Sequence, residues 1–361
     1  GTGSVDFIGE VGGITVLSSL AVNSGVLTLD QDVTTTGAQT YSQDLALAGD
    51  VTLTGSGLSA SVIDLSTHNL TLSEAGTGSV TGIISGNGSL IKSGVGTLTL
   101  SGASTYSGGT TVSTGTLKAG ASSTGSVTNG PFGTGSVTVS NGASLDANGQ
   151  TIANALSVQG TGVSSAGAVF NSAATEASLD GGVTLAGDTT IKSTAGGDLT
   201  IGGAVDGAYA LTVASDADVT FEAAVGANTT LVSVSVSAVN VNADASLRTN
   251  NGDIDFTGVT GATVLAGAIV TGGGDLIGAG TDFTNTGTIT TGGGAVNLNS
   301  QTGVIDIDAN ITTGGGVFTA TGASSFDSGG RNISTAGLAN VAGGAITITT
   351  STGDLRPGVF Y

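Results

Sequence analysis

Along most of this chain, apolar and small polar residues alternate one by one. The runs Val26 to Leu29, Leu45 to Leu53, Leu98 to Leu100, Val137 to Val139, Leu231 to Val241, Val304 to Ile307 and Ile346 to Ile348 all show it. A period of two puts alternate side chains on opposite faces of a strand, one row toward a core and one toward water. No window carries the i, i+3, i+4, i+7 stripe of an amphipathic helix. Glycine closes most runs, where corners need positive φ. The pairs Asn87-Gly88, Asn141-Gly142, Asn148-Gly149 and Asn251-Gly252 are further turn signals.

A hairpin meander would give the same alternation, but a longer period decides against it. Leu247, Ile269, Ile289, Ile311 and Ile333 recur about every 20–22 residues, four of them before Thr-Thr-Gly, Thr-Gly-Gly or Ser-Thr sequences. Two or three short strands plus corners fill such a period, and the coils then stack at roughly 4.8 Å. The chain therefore reads as an all-β solenoid. Some 17 coils, an estimate of roughly 80 Å of rod, follow from that spacing. A second repetition is longer. Val5, Phe7, Val11, Gly12, Leu17 and Leu20 match Val219, Phe221, Val225, Gly226, Leu231 and Val234 at one constant offset, which also carries Val33 onto Leu247. This predicts a duplicated multi-coil unit.

Composition narrows the picture. Of 361 residues, 65 are glycine and 38% are hydrophobic, with no Cys, Met or Trp. The regular β-branched apolar residues argue against a disordered glycine-rich chain. Six Lys and Arg against 26 Asp and Glu leave a net charge of −20, which repels nucleic acid and anionic membranes. Disulfides and thiolate metal sites are excluded. No segment has 18 consecutive apolar residues, so no membrane span is expected. The absence of an initial Met or a leader points to a mature or excised piece of a longer protein. The whole of 1–361 reads as one continuous solenoid, with looped-out regions expected at 121–133 and 163–177 and Thr-Gly-Gly-rich coils over 245–350.

The most specific stretch is 86–120. Its sequence includes Gly86, Gly88, Leu90, Lys92, Gly94, Gly96, Thr97, Leu98, Leu100 and Gly102, followed by Tyr106, Gly108, Thr110, Val112, Gly115 and Leu117. Nearly position for position it resembles the passenger-associated repeat of bacterial autotransporters, G-x-G-x-L-x-K-x-G-x-G-T-L-x-L-x-G-x-x-x-Y-x-G-x-T-x-V-x-x-G-x-L. Gly130-Pro131-Phe132-Gly133-Thr134-Gly135 looks like its usual continuation. The Thr-Gly-Gly-Gly coils are similar to filamentous-haemagglutinin-type adhesin repeats. The resemblance implies a right-handed parallel β-helix at the outer cell surface, with roles in adhesion, aggregation or passenger folding. It implies that Lys92 and Lys118 are structural, not ligands for an anionic glycan. No outer-membrane barrel follows and only one full copy of the 35-residue repeat is present, so the secretion route stays open.

Candidate chemistry is sparse. His68, the only histidine, sits in Ser66-Thr67-His68-Asn69 and reads as a corner residue. Asp253 with Asp255 and Asp306 with Asp308 share strand faces and are weak Ca²⁺ candidates; no other cofactor is expected. Asp216 and Asp218 form a similar pair. The triplets Gly272-Gly273-Gly274, Gly292-Gly293-Gly294 and Gly314-Gly315-Gly316 open no helix and precede no Lys, so they are corners and not phosphate loops. The Thr-x-Thr pairs Thr97/Thr99, Thr288/Thr290 and Thr347/Thr349 do not recur at one position in every coil, which counts against an ice-ordering ladder.

The expected function is structural and adhesive, in a secreted or surface-borne bacterial fibre that is not an enzyme. The alternative is a polysaccharide lyase or hydrolase on the same scaffold, which six basic residues and no Trp disfavour. Neither end shows a polar cap. Expected partners are therefore further copies, end to end or laterally, or a host or neighbouring cell surface.

Overall fold

A computed structural model describes residues 4–23, 25–125, 127–322, 324–337, 342–351, 353, 355–356 and 358–361. Positions 126, 323 and 338–341, inside the stretches expected as a loop and as Thr-Gly-Gly-rich coils, lie outside the described residues. Every pairing between described strands is parallel, and the fold is a β-solenoid of about 15 turns. The count falls below 17 because some turns are long. Thr110 lies beneath Val137 and Phe318 beneath Ile346, whereas Leu70 lies beneath Leu90. The one helical element among the described residues is a 3₁₀ turn at Val163–Ser165. Beside it, Val169–Asn171 forms a strand within the 163–177 stretch.

The chain divides into two compact units: Gly1–Ser172 with Ala177–Gly181, and Ala173–Glu176 with Gly182–Tyr361. In the first, Leu70, Leu72, Leu90 and Val112 point inward, and Thr71, Ile91 and Thr111 alternate outward. In the second, Leu247, Ile269, Ile289, Ile311 and Ile333 stack in direct register and are wholly buried. The 20–22 residue period is this ladder. Each buried aliphatic side chain contributes roughly 1.5–3 kcal/mol, so a narrow core suffices when it repeats in every turn.

The duplicated segment repeats in pairing as well as in sequence. Val11 bridges Val33 and Leu17 bridges Thr35; at the same offset, Val225 bridges Leu247 and Leu231 bridges Thr249. Gly12 and Gly226 both take positive φ, and a side chain at either would strike the carbonyl of the turn above, Thr34 or Arg248.

The Thr-Gly-Gly-Gly corners stack on a second buried column. Thr249, Thr271, Thr291, Thr313 and Thr335 are all inside. The Thr249, Thr271, Thr291 and Thr313 hydroxyls donate to the carbonyls of Gly252, Gly274, Gly294 and Gly316, three residues on. Thr271 and Thr291 also reach the carbonyls of Thr291 and Thr313 in the next turn. The threonine thus closes its own corner and clips it to its neighbour.

A carboxylate device recurs at other corners. The backbone N–H of Asp218 donates to Asp198, that of Asn240 to Asp218, and that of Ala262 to Asn240. Asp253, Asp275 and Ala295 repeat the relay at spacings of 22 and 20 residues. Asp32, Asp50, Asp188 and Asp282 each do the same for one amide a turn ahead. Many aspartates therefore satisfy backbone donors rather than merely solvating the surface. At Asp206, partial burial works to raise the pKa, but bonds from the Thr229 N–H and from Asn228 outweigh it and lower it. We expect Asp275→Ala to cost about 1 kcal/mol in urea unfolding, because the Ala295 N–H loses its acceptor. Asp275→Asn, which keeps an oxygen there, should stay within about 0.5 kcal/mol of the parent.

One outward row is rich in threonine but does not hold it in every turn. Thr52, Thr71, Ile91, Thr111, Thr138 and Ser157 stand in register over consecutive turns of the first unit. The column is invisible along the chain because turn length varies.

Candidate functional site

The residues of the 86–120 stretch come together around two buried polar centres. Inward alternation continues from Leu70 and Leu72 to Glu74, and from Leu90 to Lys92, so both charged side chains enter the core. Lys92 is 0% and Glu74 2% exposed, with Nζ 3.8 Å from Oε2. The Lys92 ammonium donates to the carbonyls of Ser93 at 3.0 Å, Gly94 at 2.8 Å and Thr114 at 3.3 Å. Its three protons are thereby used. Neither carboxylate oxygen of Glu74 has a hydrogen-bond partner among the described residues. Burial raises the Glu74 pKa against the opposing pull of Lys92, and burial lowers that of Lys92 against the pull of Glu74. Lys92 is thus a clasp on the corners at Gly94 and Gly115, both with positive φ.

The second centre is Tyr106, fully buried. Its hydroxyl lies 2.5 Å from Thr110 Oγ1, which donates to the Phe132 carbonyl at 3.1 Å. The Thr134 N–H donates to the Tyr106 carbonyl, and Ser104 and Gly130 exchange two backbone bonds. The 121–133 stretch therefore loops out through Thr124 and Thr128 but returns to a buried Pro131-Phe132-Gly133 seat. Burial pushes the Tyr106 phenol above its ordinary pKa.

Lys118 is also engaged within the fold. Its Nζ lies 3.2 Å from Asp146 Oδ2 and donates to Ser172 Oγ at 3.1 Å, while Ser172 Oγ donates to the same carboxylate at 2.7 Å. The trio ties together turns that are far apart along the chain. His68 sits at a corner, half-buried, with Nδ1 3.8 Å from Asp50 Oδ1.

The calcium candidates are dispersed. Asp253 accepts from the Asp275 N–H and Asp255 from the Thr257 N–H, each already engaged with backbone. Asp306 is packed in register against Asp327. Burial, with the charges of Asp308 and Asp327, raises its pKa. It lines a groove of about 480 Å³ with Asp327 and Arg356. No group of three or more His, Cys, Asp or Glu residues suited to a metal ion is found among the described residues. No helix among them is long and apolar enough to cross a membrane. The sequence reading missed Glu74, although its place two residues beyond Leu72 on an inward row was the available signal.

Residues 90–119 match the family model of the passenger-associated-transport-repeat. That match and the β-solenoid fold fit an autotransporter passenger-like protein. Searches of curated proteins and of solved structures gave no match. The matched residues run from Leu90, through the Lys92 clasp and Tyr106, to the pair of strands that ends at Ala119. The repeat is thus an integral set of turns. Its family suggests a secreted or surface protein.

Proposed function

We propose that this passenger-like chain is a structural and adhesive segment of a bacterial surface or secreted fibre. It extends away from the cell, presents its outward rows, and sticks to other cells, surfaces or further copies of itself. The observation that carries the reading is the internal use of the polar chemistry in the repeat. Lys92, Glu74, Tyr106, Thr110, Lys118 and Asp146 are spent on holding turns together. What remains outward is largely Thr, Ser, Asn, Asp and small residues, a surface suited to weak multivalent contact.

Beads coated with the full chain test the reading. They should clump with one another or be retained on bacterial or epithelial layers above the level of albumin-coated beads. Equality with albumin on every surface would overturn it.

The groove at Asp306, Asp327 and Arg356 favours one second reading, a polysaccharide-acting enzyme. Carboxylates with one raised pKa suit acid chemistry. Release of new reducing ends or unsaturated products from a polysaccharide panel, abolished by Asp306→Asn, would establish it in place of the first.

A further inference from the structure

The second unit carries a groove of about 290 Å³ on an outward sheet face. Three turns build it as a grid. Ile277 lies in register with Asn297 and Thr319, and Ala279 with Asn299 and Thr321. Rows are spaced by roughly 4.8 Å and columns by roughly 6.6 Å, the strand-to-strand distance and twice the rise per residue. Between these residues, Leu276, Val296, Leu298, Phe318 and Ala320 point into the core and fix the face.

Three features of this groove converge. The side-chain amides of Asn297, Asn299 and Gln301 make no hydrogen bond to any described residue, although side-chain bonds tie down Asn228, Asn240 and Asn285 in the same unit. Each free amide offers two donors and one acceptor. Ile277 and Ala279 give the groove an apolar strip beside the amides. No carboxylate or basic side chain lines it, in a chain of net charge −20. An anionic polymer would find no cation there, and a cationic one would be drawn instead to the aspartate corners. A lipid would leave the amides desolvated. A neutral polyhydroxylated chain satisfies all three features: hydroxyls for the amides and for Thr319 and Thr321, C–H faces for the apolar strip, and no charge.

We propose that this groove binds a neutral polysaccharide running across the turns. The assignment takes the adhesive reading one step further and rests on it for its biological role.

The test is calorimetric titration of the full chain with cellohexaose, maltohexaose and mannohexaose, and with hexagalacturonate as the anionic counterpart. At least one neutral probe should bind with Kd of about 0.1–1 mM. Its affinity should be the same at low and high salt, since no ion pair forms. The variant Asn297→Ala/Asn299→Ala should weaken that binding by about tenfold or more with unchanged circular dichroism and melting. Thr52→Val/Thr71→Val, on the first unit, should leave it unchanged. Absence of binding by every neutral probe at about 10 mM overturns the proposal. So does equal binding by the folded double alanine variant, or stronger binding of hexagalacturonate. The bead assay separates the two levels. Beads that adhere while no probe binds defeat the groove and leave the adhesive reading standing. A probe that binds while beads do not adhere supports the groove and defeats the adhesive reading.

Discussion

Replacing Lys92 with methionine will destabilise the first unit by about 3–5 kcal/mol, read as a lowered urea midpoint. Two losses combine. Glu74, at 2% exposure, loses its counter-ion and must either stay charged in a dry site or take up a proton there, and the carbonyls of Ser93, Gly94 and Thr114 lose their shared donor. The pair Glu74→Leu/Lys92→Met should recover most of the loss, because the uncompensated charge goes with its partner. A remainder of about 1–2 kcal/mol should persist from the bare carbonyls. The double variant being as unstable as the single one would mean that the clasp matters and the charge pair does not.

The same pair has a pH signature. Glu74 has its folded pKa raised above the unfolded value, so the folded state holds this proton more tightly. Its contribution is fully present below the unfolded value and is lost as pH rises through the folded one. Lys92, with its folded pKa lowered, acts in the alkaline range with its contribution lost as pH falls. Asp206 runs opposite to Glu74: its lowered pKa favours folding above the ordinary aspartate range, and that gain is lost on acidification. Titrating stability from the ordinary glutamate range toward neutrality, the parent should weaken and Glu74→Gln should weaken less over the same interval, keeping only the share of Asp306, whose pKa is also raised. A parent profile that rises across that interval would contradict the burial argument.

What the sequence made legible and what it hid divide along a physical line. Features that repeat at the spacing of a turn could be read, because each turn states its own pattern. The Leu247 to Ile333 ladder, the duplication of Val5 onto Val219, the glycine corners and the Leu90-to-Ala119 match are of this kind. Contacts between unlike residues in successive turns could not. Lys118 meets Asp146 and Ser172 across two turns of unequal length, and nothing along the chain gives that register. The relay from Asp253 through Asp275 to the Ala295 amide joins a side chain to backbone, so its acceptor is visible and its donor is not. Asn297 and Asn299 read only as polar positions of a strand. Their significance lies in having no partner, a property of the folded surface.

Tyr106→Ala carries the other large effect, about 3–5 kcal/mol for an aromatic side chain removed from a closed core. Its consequence should be local as well as global. The ring is the floor on which Gly133 closes: a side chain there would collide with the Tyr106 carbonyl and ring, which is why the φ of +69° is occupied by glycine. Without the ring, the Pro131-Phe132-Gly133 seat loses its packing, and the loop carrying the exposed Thr124 and Thr128 is drawn back less firmly against Ser104. Limited proteolysis under native conditions should therefore cut faster within 121–130 in Tyr106→Ala than in the parent. Tyr106→Phe keeps the ring and loses one hydrogen bond. Thr110 Oγ1 still donates to the Phe132 carbonyl, so this variant should lose only about 1 kcal/mol and keep the parental cleavage pattern. If Tyr106→Ala loses stability but leaves the 121–130 cutting rate unchanged, the loop is held by hydrogen bonds that do not need the ring, such as those between Ser104 and Gly130, and the aromatic residue of the repeat serves the core without fastening the loop.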